Sequence, residues 1–308
     1  TERQVIVPGD VFLGALRLTI DPNWHVYWIN AGDSGLAPEI RWVDQQGFEF
    51  GAFRFPAPYE MPLEGLMNYG YKDELILPFE IRVPADLPTD GLVRLTANAG
   101  WLICEDICIP EEAELFLTLE LGESPVEDAA GMDVIARALS QIPVELAGTA
   151  SYQTQDGVYL LDISAPALAL AAKTAANARF YPYGHEILHP APQSPQWGPA
   201  GVRLTLTAAP GFAIPEEGLK GVLVLDPTEP DGIRAAYEII ARLGPAQEGV
   251  SGLPFAAAAN KGSGGGSGLA LGMLGWMTLI GSALLGGLIL NLMPCVLPVL
   301  SIKAVGLT

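Results

Sequence analysis

The chain has 308 residues, half of them apolar, and 35 acidic against 16 basic side chains give it a net charge of −19. That length and apolar content allow two domains of ordinary size. A surface this acidic repels phosphate, which excludes nucleic acid as a partner, and 35 glycines with 26 prolines favour short strands and turns over long helices.

Residues 1–125 are predicted as an immunoglobulin-like β-sandwich. The candidate strands are 11–20, 25–29, 38–42, 48–55, 74–83, 92–99 and 113–121, several of which alternate apolar and polar residues as half-buried strands do. Seven short strands in this length suit that architecture. A connector follows at 121–131, then a short helix near 131–140. Residues 126–250 form a second β-sandwich with strands at 158–165, 178–183, 202–209, 221–226 and 235–240. Each sandwich is expected to have its own core, and the first is expected to fold alone. The fold class is therefore all-β, with two sandwiches followed by a linker and a membrane helix.

Residues 251–268 contain "KGSGGGSG" and are expected to be a flexible linker. The tail, 269–308, is a different material. Leu269 to Ile302 carries no charge, longer than the roughly 20 apolar residues a bilayer core requires. Pro294 and Pro298 are expected to break or kink this helix. All acidic residues lie at or before Glu248, and only Lys261 and Lys303 are charged after it, so a net charge of −21 precedes a tail of +2. Lys303 beyond the apolar run places the acidic part outside and Thr308 toward the cytoplasm. The chain starts at Thr1 without an apolar signal segment, so either that segment is expected to have been removed or the chain is a fragment.

Three cysteines carry the chemistry. Cys104 and Cys108 lie in "WLICEDICIP", with three residues between them. On one straight strand their Cα atoms would stand roughly 13 Å apart, whereas a disulfide needs about 7 Å or less. If they bond, Glu105–Ile107 must fold into a tight turn or a helical loop between two strands. So small a ring removes little entropy from the unfolded chain, a weak staple. Spacing alone leaves a structural disulfide, a redox pair and a metal clip or free thiols open. Zinc would need two more ligands, and the histidines are His25, His185 and His189, with no second ligand pair at zinc-site spacing. Cys295 sits between the two prolines of the membrane segment, where opened backbone lines a protein-enclosed cavity. Glu105, Asp106, Glu111, Glu112 and Glu114 surround the pair in sequence. They either disfavour the thiolate or form a solvated face. In "WHVYW" (24–28), alternation puts Trp24, Val26 and Trp28 on one face and His25 and Tyr27 on the other.

Four stretches resemble the DsbD/ScsB family of transmembrane thiol:disulfide interchange proteins: "WHVYWINAGDSGLAPEI" (24–40), "NYGYKDELILPF" (68–79), "WLICEDICIPEEAEL" (101–115) and "GGLILNLMPCVLPVLSIKAVGL" (286–307). The resemblance implies a periplasmic immunoglobulin-like domain with a redox cysteine pair, ahead of a membrane domain that carries electrons outward. Residues 269–308 would be its first transmembrane helix, with Cys295 as a redox cysteine whose partner lies on a later helix. The C-x3-C pair and the second β-domain match the ScsB-like branch. By resemblance, Cys108 forms mixed disulfides and Cys104 resolves them. His25 and Tyr27 would flank the pair. In "YEMPLEGLMNYG" (59–70), Met61, Leu63, Leu66 or Met67 would cap the sulfurs, where better-known members use a Phe. No bound cofactor is implied. The implied setting is the bacterial inner membrane with residues 1–250 periplasmic. The implied partners are the lipid bilayer, thioredoxin-like or disulfide-isomerase-like periplasmic proteins, including those of cytochrome c biogenesis, and cytoplasmic thioredoxin as electron source. Two other readings compete: a membrane-tethered binding or chaperone module with a structural disulfide, and a copper-handling domain using Met61, Met67, His25 and the thiols.

Overall fold

The computed structural model describes residues 1–44, 47–105, 107–172, 174–229 and 234–251. Eleven strands come first: β1 (Arg3–Ile6), β2 (Val11–Thr19), β3 (Val26–Gly32), β4 (Glu39–Asp44), β5 (Glu49–Phe50), β6 (Tyr59–Leu63), β7 (Leu66–Tyr71), β8 (Glu74–Arg82), β9 (Gly91–Cys104), β10 (Cys108–Leu121) and β11 (Val126–Glu127). They form sheets of order β11-β1-β10-β9-β4, β2-β8-β5 and β3-β7-β6. Helix α1 (Ala129–Leu139) follows, its first turn capped by Asp128, whose carboxylate accepts from the Ala130 N–H. The remaining elements are β12 (Val144–Glu145), β13 (Thr149–Gln155), β14 (Val158–Ser164), α2 (Pro166–Ala171), β15 (Ala175–Pro182), β16 (Ser194–Gly198), β17 (Gly201–Thr207), β18 (Leu219–Pro227) and β19 (Ala235–Leu243). Their strands make one sheet, β15-β18-β19-β13-β14-β17-β16, with β12 beside β19. The described chain is thus predominantly β, in sandwich-like sheets consistent with immunoglobulin-like folds.

Most expected strands are present, and α1 lies where the helix was expected. Three differences stand out. Residues 51–55 are not strand, and β5 is two residues long. Helix α2, opened by Pro166 at a position where the missing N–H costs nothing, has no periodic signature in so short a piece. Residues 59–70, expected as a cap loop, form most of the β6–β7 hairpin. Its two-residue turn, Glu64–Gly65, has φ of +47° and +90°, the left-handed backbone that tight hairpins require. The linker and the apolar tail, from 252 onward, lie outside the described residues. Among the described residues no helix is long and apolar enough to cross a membrane.

Three cores lie within the described residues, one of them shared between strands before and after α1. Ile6, Phe12, Phe79, Ile81, Leu95 and Leu119 pack between the five-stranded sheet and β2-β8-β5. Leu161, Ile163, Phe180, Leu204, Leu223 and Ile239 fill the C-terminal sheet. The third core combines Trp28, Tyr69, Tyr71 and Leu77 with Tyr181, Val222 and Val224. Strand β18 explains how. Val222, Leu223, Val224 and Leu225 are all buried, and alternate residues face different cores. The continuous apolar run "VLVL" is what a strand covered on both faces requires. Residues Thr1–Gly252 accordingly form one compact unit.

Inside the C-terminal sheet, Arg203 of β17 and Asp162 of β14 are opposite one another and almost fully buried. The guanidinium donates two bonds to the carboxylate, at 2.6 and 2.8 Å, and the Gln247 N–H donates a third at 2.8 Å. Arg203→Met is expected to strand the carboxylate and cost about 3–5 kcal/mol in urea unfolding. Adding Asp162→Leu should recover most of that loss, because an apolar pair needs no compensating charge.

Candidate active site around a cross-strand disulfide

Strands β9 and β10 are paired without a register shift from Gly91↔Leu121 to Cys104↔Cys108. The connection is closed by the Glu105 N–H donating to the Ile107 carbonyl at 3.2 Å. The turn brings the two cysteine Cα atoms to 4.1 Å, and their sulfurs form a disulfide. The sequence required such a turn if the two were to bond, and the hairpin supplies it.

The two sulfurs have different surroundings. On β9, odd-numbered residues such as Val93, Leu95, Ala97 and Ala99 point into the cores. Even-numbered residues from Leu92 to Leu102 are exposed or half-buried, but Cys104, on that same face, is buried. The chain entering β3 covers it. The His25 N–H donates to the Cys104 carbonyl at 2.9 Å, and the Cys104 N–H donates to the His25 carbonyl at 3.0 Å. Two residues on, the Tyr27 hydroxyl donates to Cys104 Sγ at 2.9 Å and lies 3.4 Å from Cys108 Sγ. Cys108 is exposed, with exposed Ile107 and Ile109 on either side.

Tyr27 is itself fully covered, and the cover is traceable to short motifs. Gly35 has φ +106° and lies against the phenol ring, where a Cβ would stand 2.3 Å from it. The loop carrying Gly35 is pinned to the β6–β7 hairpin. The Asp33 N–H donates to the Met67 carbonyl, the Met67 N–H donates to the Asp33 carboxylate, and Ser34 donates twice to the Asn68 side chain. Gly70 permits the strand pairing beneath, since a Cβ there would stand 2.0 Å from the Val26 carbonyl oxygen.

The candidate cap residues are divided. Met61 is buried, Leu63 and Met67 are half-buried, and Leu66 is exposed. Met67 packs on the shared core, and its backbone holds the Asp33 loop. The hairpin therefore reaches the disulfide through Asp33, Gly35 and Tyr27. Cys295 lies outside the described residues. Glu105, Glu111, Glu112 and Glu114 are all exposed, a solvated face. Glu111 also accepts from the Trp101 indole at 3.0 Å.

Electrostatics follow burial. Desolvation raises the Tyr27 phenol, which keeps it a neutral donor. Desolvation, and then the positive charge of Lys72, lowers His25 and keeps its imidazole neutral. The redox-capable group here is the disulfide itself. Among the described residues no cluster of three or more His, Cys, Asp and Glu side chains could hold a metal. The sequence pointed to His25 and Tyr27 as flanking residues. The direct sulfur contact of Tyr27 and the covering role of Gly35 had no readable signal beyond "AGDSG".

A nucleophile arriving from solvent would meet the exposed residue of the pair, Cys108. The departing Cys104 sulfur would then hold its new charge against a phenol O–H already directed at it, and a hydrogen bond to the charged form favours that form. A β-sandwich whose disulfide joins one exposed and one buried cysteine is consistent with thiol–disulfide exchange. Residues 1–120 match the family described as thiol:disulfide interchange protein DsbD, N-terminal. This part of the chain is thus similar to the N-terminal region of a thiol:disulfide interchange protein. Among solved structures, the N-terminal periplasmic domain of ScsB from Proteus mirabilis is 19% identical with a TM-score of 0.53, covering 77% of this chain and 91% of that one. At that identity the likeness is one of fold. A protein of unknown function from Porphyromonas gingivalis W83 is 10% identical, covering 78% of this chain and 95% of that one; its TM-score of 0.21 carries no argument. No curated protein matches the chain.

Proposed function

We propose that this protein is a protein-disulfide reductase, which passes electrons from a membrane domain to oxidised protein disulfides in the periplasm. The observation that carries this reading is the asymmetry of the pair: Cys108 is exposed, and Cys104 is buried against the Tyr27 hydroxyl. A thiolate of the donor dithiol attacks Cys108 Sγ. The S–S bond breaks, and its electron pair goes to Cys104. The donor's second thiol then releases the donor as a disulfide, leaving both cysteines reduced. The same steps in reverse reduce a disulfide-bonded partner.

In the full path, electrons start from cytoplasmic thioredoxin and cross the inner membrane through a domain that begins at residues 269–308. Cys295 would belong to that relay. Residues 1–250 would face the periplasm and serve thioredoxin-like or isomerase-like proteins. The homology of residues 1–120 supports the periplasmic end of this scheme.

A tethered binding module with a structural disulfide differs in one measurable way. Structural disulfides resist the glutathione pool, with potentials below about −300 mV. Equilibrated with glutathione buffers and quenched by thiol alkylation, Cys104–Cys108 is expected to titrate at a less negative potential. A pair still fully oxidised in the most reducing glutathione mixture would rule out the exchange reading.

A further inference from the structure

We propose that His25 is the base that takes the proton from the Cys104 thiol when that thiol resolves a mixed disulfide on Cys108. The inference rests on the exchange reading above and adds a specific residue to it.

Cys104 has no exposed surface. In the mixed disulfide it is a thiol, and it must lose its proton to attack. Bulk water does not reach it, so the acceptor has to lie within the cover. Tyr27 touches the sulfur, but a neutral phenol is a donor there and a very poor base. His25 is the remaining candidate. Its backbone is joined to that of Cys104 by the two bonds at 2.9 and 3.0 Å. Directly opposed residues of antiparallel strands project side chains to the same face, with Cβ atoms roughly 5 Å apart. Tyr27, two residues along, shares that face, and its ring meets the imidazole edge-on at 5.3 Å between centroids.

The imidazole is also idle. His25 is 8% exposed, and its buried Nε2 has no hydrogen-bond partner among the described residues. An orphaned buried nitrogen carries a desolvation cost, which a proton-transfer role would explain. The titratable and charged groups around it are Tyr27 on its own strand, Lys72 from the β7–β8 turn, and the two cysteines on β9 and β10. Burial and Lys72 keep the ring unprotonated near neutral pH, as a base requires.

The step balances. Cys104 gives its proton to His25, and its sulfur attacks Cys108 Sγ. The bond between Cys108 and the partner sulfur breaks, and the partner leaves as a thiolate. Imidazolium then returns the proton to that thiolate or to solvent. In the opposite direction the departing Cys104 takes up a proton through His25, which draws it from solvent.

The test uses the reduced protein and one equivalent of 5,5′-dithiobis(2-nitrobenzoate). Attack by Cys108 releases a first equivalent of thionitrobenzoate, and resolution by Cys104 releases a second. In the wild type, the second phase is expected to fall as pH drops through a value below 6.5, the ordinary histidine value, and to level off above it. His25→Phe keeps a ring against Tyr27 and removes the base. It should leave the first phase unchanged and slow the second by about tenfold or more at pH 7. Its second phase should then climb with pH toward the thiol's own range. His25→Gln, which restores polarity without a base, should behave like His25→Phe. A wild-type second phase without the inflection, or variants resolving at the wild-type rate, would overturn the role of His25. Absence of both phases in the wild type would instead defeat the exchange reading itself.

Discussion

Cys104→Ser is expected to accumulate a partner-linked species that the wild type never shows. The variant keeps Cys108, which is exposed and able to attack a partner disulfide, but it lacks the thiol that would release the partner. The mixed disulfide should persist as a dithiothreitol-sensitive adduct on a non-reducing gel. Cys108→Ser should show little or none, because its remaining thiol lies beneath His25 and Tyr27. Exchange with protein disulfides should be lost in both. Stability should change by no more than about 2 kcal/mol in either, since a ring this small removes little entropy from the unfolded chain. Equal destabilisation with no adduct in either variant would identify a staple. Strong trapping by Cys108→Ser would keep the reaction and exchange the roles of the two cysteines.

A fragment of residues 1–125 is expected to lose cooperative folding. The sequence suggested a self-sufficient first sandwich, but Trp28 and Tyr69 pack edge-on against Tyr181 from β15, and Val222 and Val224 of β18 complete that core. Polar links accompany the packing. Asn30 donates to the Pro182 and Gly184 carbonyls, Arg234 donates to those of Ala57 and Pro58, and Arg179 pairs with Glu60. Burial of three large apolar side chains contributes about 5–9 kcal/mol, which is comparable to the whole stability of an ordinary domain. The isolated fragment should show poor chemical-shift dispersion, bind a hydrophobic dye, and reduce its disulfide faster than residues 1–252 do. A fragment with a sharp thermal transition close to that of the longer chain would show that the shared core is dispensable.

The same contrast runs through the site. The turn between Cys104 and Cys108 was legible only as a condition of their bonding, because one straight strand would hold them too far apart. The helix at 129–139 was legible from its own residues, as was the placing of His25 and Tyr27 on one strand face, since strand alternation is local. Residues 59–70 were read as a cap loop because they are rich in Met, Pro and Gly and match the cap loop of the resembled family in position. Their pairing depends on the left-handed turn at Glu64–Gly65 and on β7 lying against β3.

By itself, the sequence determined the strand periodicity, the cysteine spacing and the acidic surface, all properties of residues close together in the chain. It also placed an apolar run at 222–225 without saying what would cover it. Only the tertiary structure decided that this run serves two cores, that Tyr27 meets both sulfurs, and that Cys104 is hidden while Cys108 is not. Each of those outcomes depends on strands far apart in sequence: β3 beside the end of β9, and β18 behind Trp28. Such pairings are set by burial and backbone hydrogen bonding across the whole fold, for which no local pattern of residues is sufficient.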